Sequence, residues 1–99
     1  MKYKEITDKR LQDIVDKILA VSSPDKIVLY GSRAKGGNGA RSDFDIALFG
    51  KVNMGQVWDS IQSAQTLLDI DVVSFAELAD GAFKQKILAE GVVVYEREI

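Results

Sequence analysis

Asp43-Phe44-Asp45 opens an apolar run that continues through Ile46, Ala47, Leu48 and Phe49. In an extended strand, that order sends Asp43 and Asp45 to one face and Phe44 and Ile46 to the other. Two carboxylates about 7 Å apart on one strand face repel, so their ionised forms call for solvent or a cation between them. The sequence has neither His nor Cys, which leaves oxygen ligands alone. Such a set suits Mg²⁺ or Mn²⁺, with water and substrate phosphate completing the shell. Upstream, the apolar run Ile27 to Tyr30 ends in Gly31-Ser32-Arg33. Gly31 lets the backbone turn sharply and approach a ligand, Ser32 offers a hydroxyl and an N–H, and Arg33 and Lys35 bring positive charge. Together these groups are suited to gripping a polyphosphate.

These residues need a frame. Ile27 to Tyr30, bounded by Pro24-Asp25 and Gly31, reads as a central strand covered on both faces. Ahead of it, Leu11, Ile14, Val15, Ile18, Leu19 and Val21 recur at helical spacing after Thr7 as N-cap, and Ser22-Ser23-Pro24-Asp25 stops that helix. Residues 1–6 read as a loosely docked lead-in. Ser32 could open a short helix whose first amides face phosphates. Gly36-Gly37-Asn38-Gly39 predicts a flexible loop, of which a plain hairpin turn is the bland alternative. Beyond Gly50, Asn53 caps a second helix carrying Val57, Trp58, Ile61, Ala64, Leu67 and Leu68, with Trp58 assigned to packing rather than base stacking. A third strand covers Ile70 to Phe75, on which Asp69, Asp71 and Val73 share a face. A third helix is expected from about Ala76 to Glu90, stopped by Gly91, and Val92 to Tyr95 form the last strand before a charged tail. Helices and strands alternating in this order predict an α/β (α+β) fold: a small mixed β-sheet with helices packed mainly on one face.

Composition narrows the chemistry further. Ninety-nine residues, 46% hydrophobic and 28% charged, correspond to one globular domain over 1–99. No apolar run reaches the roughly 18–20 residues of a membrane span, and the N-terminus is polar, so a soluble cytoplasmic protein is expected. Without Cys or His there is no disulfide, thiolate centre, imidazole base or Ser-His-Asp triad, and acid–base work falls to Asp or Glu. A net charge of −2 disfavours polynucleotide binding, although Lys26, Arg33, Lys35 and Arg41 make the central loop locally basic.

Gly31-Ser32, ten intervening residues, then Asp43-x-Asp45, with a further acid in Asp71-Val72-Val73, resembles the signature of the polymerase-β-like nucleotidyltransferase superfamily. The local form Gly-Ser-Arg-Ala-Lys-Gly followed by Ser-Asp-Phe-Asp-Ile-Ala is similar to its smallest branch, the minimal nucleotidyltransferases. The motifs span residues 25–75. The resemblance implies Asp71 as third carboxylate, since it opens a hydrophobic strand, with Asp69 as the fallback. It also implies that Asp43 and Asp45 bind two Mg²⁺ ions, that Asp71 binds the catalytic one, and that Gly31 and Ser32 hold the β- and γ-phosphates of ATP. Arg33 would neutralise charge developing on them. Three converging carboxylates suit two divalent cations about 3.5–4 Å apart, an arrangement for in-line displacement at phosphorus.

The expected reaction is transfer of AMP from ATP to a hydroxyl. A chain this short has no second domain to present an acceptor. The minimal branch implies a separately encoded helical partner of the HEPN type, toxin to this chain's antitoxin, with a toxin tyrosine as acceptor. A homo-oligomer is compatible with the sequence. The alternatives are an antitoxin that neutralises its partner by covering it, without catalysis, and nucleotidylation of a small molecule.

Overall fold

The computed structural model describes residues 2–3, 5–31, 44–63 and 70–97. Helix α1, Lys9–Val21, is amphipathic, and it buries Leu11, Ile14, Val15 and Ile18. Its cap is Asp8, one residue later than the expected Thr7. The Asp8 carboxylate accepts from the Arg10 backbone N–H at 2.8 Å, and the Arg10 guanidinium donates to the same carboxylate at 3.0 Å. That side-chain hydrogen bond is the main reason the Asp8 carboxyl titrates below its ordinary value. Asn53 caps α2, Met54–Ile61, as expected, accepting from the Gln56 N–H at 3.1 Å. The two helices lie side by side, tied by the Ser60 hydroxyl donating to the Lys17 carbonyl at 2.7 Å.

Five strands form one mixed sheet: β1 (Lys2–Tyr3), β2 (Lys26–Tyr30), β3 (Phe44–Phe49), β4 (Ile70–Ser74) and β5 (Val92–Glu96), in the order β1-β5-β2-β3-β4. The lead-in is therefore partly a strand, because Lys2 and Tyr3 pair in parallel with Val92 and Val93 and cover an otherwise open edge. β2 is central and antiparallel to both neighbours, β5 and β3, whereas β3 and β4 run parallel through the α2 crossover. Consequently β2 ends at the sheet edge where β3 and β4 begin.

Alternation sorts the two faces. Ile27, Leu29, Phe44, Ile46, Leu48 and Val72 pack beneath α1 and α2, with Trp58 against the same core. Each of these large side chains contributes about 1.5–3 kcal/mol on burial. The other face carries a smaller cluster, Val28, Tyr30, Ala47 and Val93, covered through Ile87 by α3, Ala82–Glu90. Two of the three α-helices among the described residues thus share one face. α3 is shorter than the expected 76–90 because Phe75–Glu77 turns as a 3₁₀ helix, Leu78 leaves it extended, and Gly81 sits at φ 150°. Phe75 ends the strand by stacking on Phe49, centroids 4.2 Å apart. Gly91 closes α3, its N–H donating to the Ile87 carbonyl at 2.8 Å. Among the described residues no helix is long and apolar enough to cross a membrane.

Candidate active site

The edge where β2 ends and β3 and β4 begin gathers the described site residues. Tyr30 pairs with Asp45, and Asp45 pairs with Asp71, so the three stand in one row across β2, β3 and β4. Directly paired residues on neighbouring strands project to the same face, with the strands about 4.8 Å apart. That face is the α3 side, since Phe44 and Ile46, flanking Asp45, are buried under α1 and α2. Asp45 is half-buried and Asp71 exposed. One pleat further in, the row Val28, Ala47 and Val73 is wholly apolar, so the two acids sit at its solvent margin.

Gly31 follows Tyr30 with φ 76°, a left-handed conformation that favours glycine. A Cβ placed there would lie 2.5 Å from Oδ2 of Asp45. The missing side chain is what allows the turn to pass over that carboxylate, so the backbone approach expected of Gly31 is made to Asp45 itself.

Like charges paired on one face of neighbouring strands destabilise unless a cation or a donor intervenes. Tyr30 is their neighbour in the row. Its phenol is pushed up to about 12, first by burial and then by the negative charges of Asp71 and Asp45, so it is protonated at neutral pH. The Tyr30 ring is 4% exposed and meets Phe83 of α3 edge-on, with centroids 5.8 Å apart and planes at 72°. Phe83 itself is 43% exposed. Sequence reading placed Tyr30 only in a strand. The β2–β3 register that sets it beside Asp45 is invisible without the fold, and only the period of two, which separates it from Leu29, hinted at its face.

Asp43, Ser32 and Arg33 lie outside the described residues, as do Lys35, Arg41 and Asp69. Among the described residues no group of three acids assembles for a metal ion; two of the three expected carboxylates, Asp45 and Asp71, are brought together. As a donor set they fit a hard divalent cation. Both are carboxylates, they share a face, and the Gly31 cradle keeps side-chain carbon away from Asp45. A groove of about 680 Å³, lined by Asp25, Lys26, Phe49, Gly50, Glu96 and Arg97, lies at the opposite strand ends. It is crossed by an Asp25–Arg97 ion pair of 2.9 Å and is separate from the row of acids.

Comparison with known proteins agrees with this arrangement at the level of fold. The chain superposes on the crystal structure of a toxin–antitoxin with AMP-PNP with a TM-score of 0.65 and 21% identity, covering 94% of this chain and 76% of that one. A second crystal structure, of the toxin–antitoxin MntA–HpeT in a mutant form, gives a TM-score of 0.59 and 15% identity over 94% and 75%. Curated protein sequences give no match. The family described as polymerase beta, nucleotidyltransferase, matches residues 9–99. With nearly the whole chain matched, and its strands delivering Gly31, Asp45 and Asp71 to one sheet edge, this protein belongs to the polymerase beta nucleotidyltransferase family.

Proposed function

We propose that the chain is a metal-dependent nucleotidyltransferase that moves AMP from ATP to a hydroxyl of a partner protein. The acceptor in this reading is a tyrosine of a helical HEPN-type toxin, and the chain is its antitoxin. The observation that carries the proposal is the pairing of Asp45 with Asp71 on one face beside the Gly31 turn. The solved neighbours, toxin–antitoxin structures of which one contains AMP-PNP, support the choice of partner and nucleotide.

Asp45 and Asp71, with Asp43, would hold two Mg²⁺ ions, for which Mn²⁺ could substitute. When bound, these cations supply Lewis-acid stabilisation of charge on phosphoryl oxygens and acidify the attacking hydroxyl. The chain's own part is to orient and to position charge. Gly31 and Ser32 hold the β- and γ-phosphates, Gly31 by letting the backbone pass close. Arg33 offsets charge accumulating on the leaving pyrophosphate. Asp71 helps to take the proton from the acceptor hydroxyl. The apolar row of Val28, Ala47 and Val73 behind the acids, buried at Val28 and Ala47, keeps water from one side of the carboxylates and strengthens their hold on positive charge.

The test is the intact mass of the helical protein encoded beside this gene after incubation with the chain, ATP and Mg²⁺. A gain of one or more AMP units with the wild type and none with Asp45→Asn is the expected result; an unmodified partner in both would overturn it. Occlusion without transfer is the second reading. Phe83, 43% exposed on α3 and packed edge-on against Tyr30, favours it by offering apolar surface next to the site. A stable complex without nucleotide, equally tight with Asp45→Asn, would select it.

A further inference from the structure

Three of the chain's four phenylalanines are covered by neighbours. Phe44 is buried under α1 and α2, and Phe49 and Phe75 stack on each other with Lys26 over the first ring and Lys84 over the second. Phe83 is the exception, 43% exposed on α3. Its one ring contact among the described residues is with Tyr30, at 72° between planes, and a perpendicular contact covers at most one face of a ring. Apart from chain neighbours, no atom of the described residues lies within 4 Å of a Cβ placed at Gly81, two positions earlier, so the approach on that side is open. A single exposed apolar side chain is ordinary; what sets Phe83 apart is where it stands. Tyr30 pairs with Asp45, and Asp45 with Asp71. A ring whose centroid is 5.8 Å from that of Tyr30 is on the order of 10 Å from the carboxylates, one strand spacing further. A cation, an α-phosphate and a ribose together fill such a gap.

We infer that Phe83 is the stacking platform for the nucleobase of the triphosphate, and that it gives the site a preference for purine over pyrimidine nucleotides. The inference rests on the reading of Asp45 and Asp71 as ligands of a triphosphate-bound cation. Stacking on an aromatic ring takes any base, because every base has a π-face; the fused rings of a purine cover more of the phenyl face than a pyrimidine does, and the gain follows the overlap. The same ring is less suited to anchoring a protein. A protein contact draws on a contiguous apolar patch of a few hundred Å², whereas the exposed positions that follow Phe83, Gln85 and Lys86, are polar. A lone flat ring beside a phosphate site matches one planar base.

The experiment is calorimetric titration of the purified full chain with ATP, CTP and inorganic triphosphate, in Mg²⁺ and without an acceptor. Wild type, Asp45→Asn, Phe83→Leu and Phe83→Trp are compared, each checked by circular dichroism and thermal melting. Phe83→Leu keeps an apolar side chain and removes the ring. The expected result is tighter binding of ATP than of CTP by the wild type, and about 10-fold or greater weakening of ATP in Phe83→Leu, with inorganic triphosphate bound as before. Phe83→Trp should retain ATP affinity, and its added fluorescence, above that of the single natural tryptophan Trp58, should be quenched by ATP and not by triphosphate. Wild-type ATP affinity in a folded Phe83→Leu overturns the inference and leaves the carboxylate site standing; a weakened complex with the helical partner in that same variant would assign the ring to the partner instead. Equal weakening of ATP and triphosphate also overturns it, since the ring would then act on the phosphate site rather than on the base. Undiminished triphosphate binding in Asp45→Asn overturns both readings. Should Phe83→Leu fail to fold, Phe83→Trp decides: quenching by ATP alone supports stacking, and no quenching refutes it.

Discussion

The two ends of the sheet use the same device for different purposes. At one end Gly31, φ 76°, makes room for the Asp45 carboxylate, and at the other Gly50, φ 96°, makes room for Asp25, whose Oδ2 would lie 2.8 Å from an added Cβ. What surrounds each acid then diverges. Asp25 pairs with Arg97, its carbonyl accepts the Arg97 backbone N–H at 2.8 Å, and its own N–H donates to the Phe49 carbonyl at 2.7 Å. Lys26 lies over Phe49, Phe49 stacks on Phe75, and Lys84 lies over Phe75. Charge there is balanced and aromatic surface is clamped. Asp45 instead stands beside a second acid and a buried phenol. Two acids set in register on one face distinguish the Gly31 end, which is why it is read as the site and the Gly50 end as a clasp.

The sharpest way to break that contrast is to neutralise one acid at each end. Asp45→Asn or Asp71→Asn should lower AMP transfer by three orders of magnitude or more, a barrier increase of about 4 kcal/mol, while Asp25→Asn leaves the rate unchanged. Initial rates at saturating ATP and Mg²⁺ measure this; comparable losses in Asp25→Asn would remove the distinction between the ends.

Exchanging the glycines sharpens it further. Gly31→Ala and Gly50→Ala each force a non-glycine residue to positive φ and set a methyl against a carboxylate, at a cost of about 1–3 kcal/mol in urea unfolding. The stability losses should be alike. Only Gly31→Ala should also lower transfer, by about 10-fold or more, because the displaced carboxylate is the one with work to do. Equal rates in the two variants would mean that Asp45 tolerates displacement.

Tyr30 gives the comparison a pH dependence. An unfolded tyrosine ionises near 10 whereas the folded phenol holds its proton to about 12. Between these values the unfolded chain releases a proton that the folded chain keeps, so stability falls as pH rises. Wild type should therefore lose stability relative to Tyr30→Phe from about pH 10 to about pH 12, and the two should run in parallel below. Thermal melts across that range test the sign.

Much of this was legible in the residues. Apart from β1 and the start of α3, the strands and helices follow from periodicity bounded by a cap or breaker, with Asp8 in place of Thr7 as the cap of α1, and the parity of Phe44 and Asp45 alone assigned the faces of β3. Gly31 was legible as a turn because no other residue adopts its φ cheaply. The partnership of Tyr30 with Asp45 was not, since register between strands separated by thirteen intervening residues depends on tertiary pairing rather than local pattern. α3 was misread at its start for a related reason. Ala76, Glu77 and Leu78 have good helix propensity, but stacking of Phe75 on Phe49 and the conformation at Gly81 hold that stretch out of the helix.

The smallest effect is expected from Arg97→Ala, and it separates clasp from site most cleanly. The pair with Asp25 is short at 2.9 Å, yet the two side chains are 51% and 59% exposed. Solvent screens such a pair to about 0.2–1 kcal/mol. The backbone hydrogen bond from Arg97 to Asp25 survives truncation of the side chain and keeps β5 in register. Arg97→Ala should therefore lower unfolding free energy by less than about 1 kcal/mol, a difference that shrinks at high salt, with Mn²⁺ affinity and transfer rate unchanged. A change in either of the last two would show that charge at the Gly50 end reaches the carboxylates across the length of β2, and the two ends would then have to be treated as one electrostatic unit.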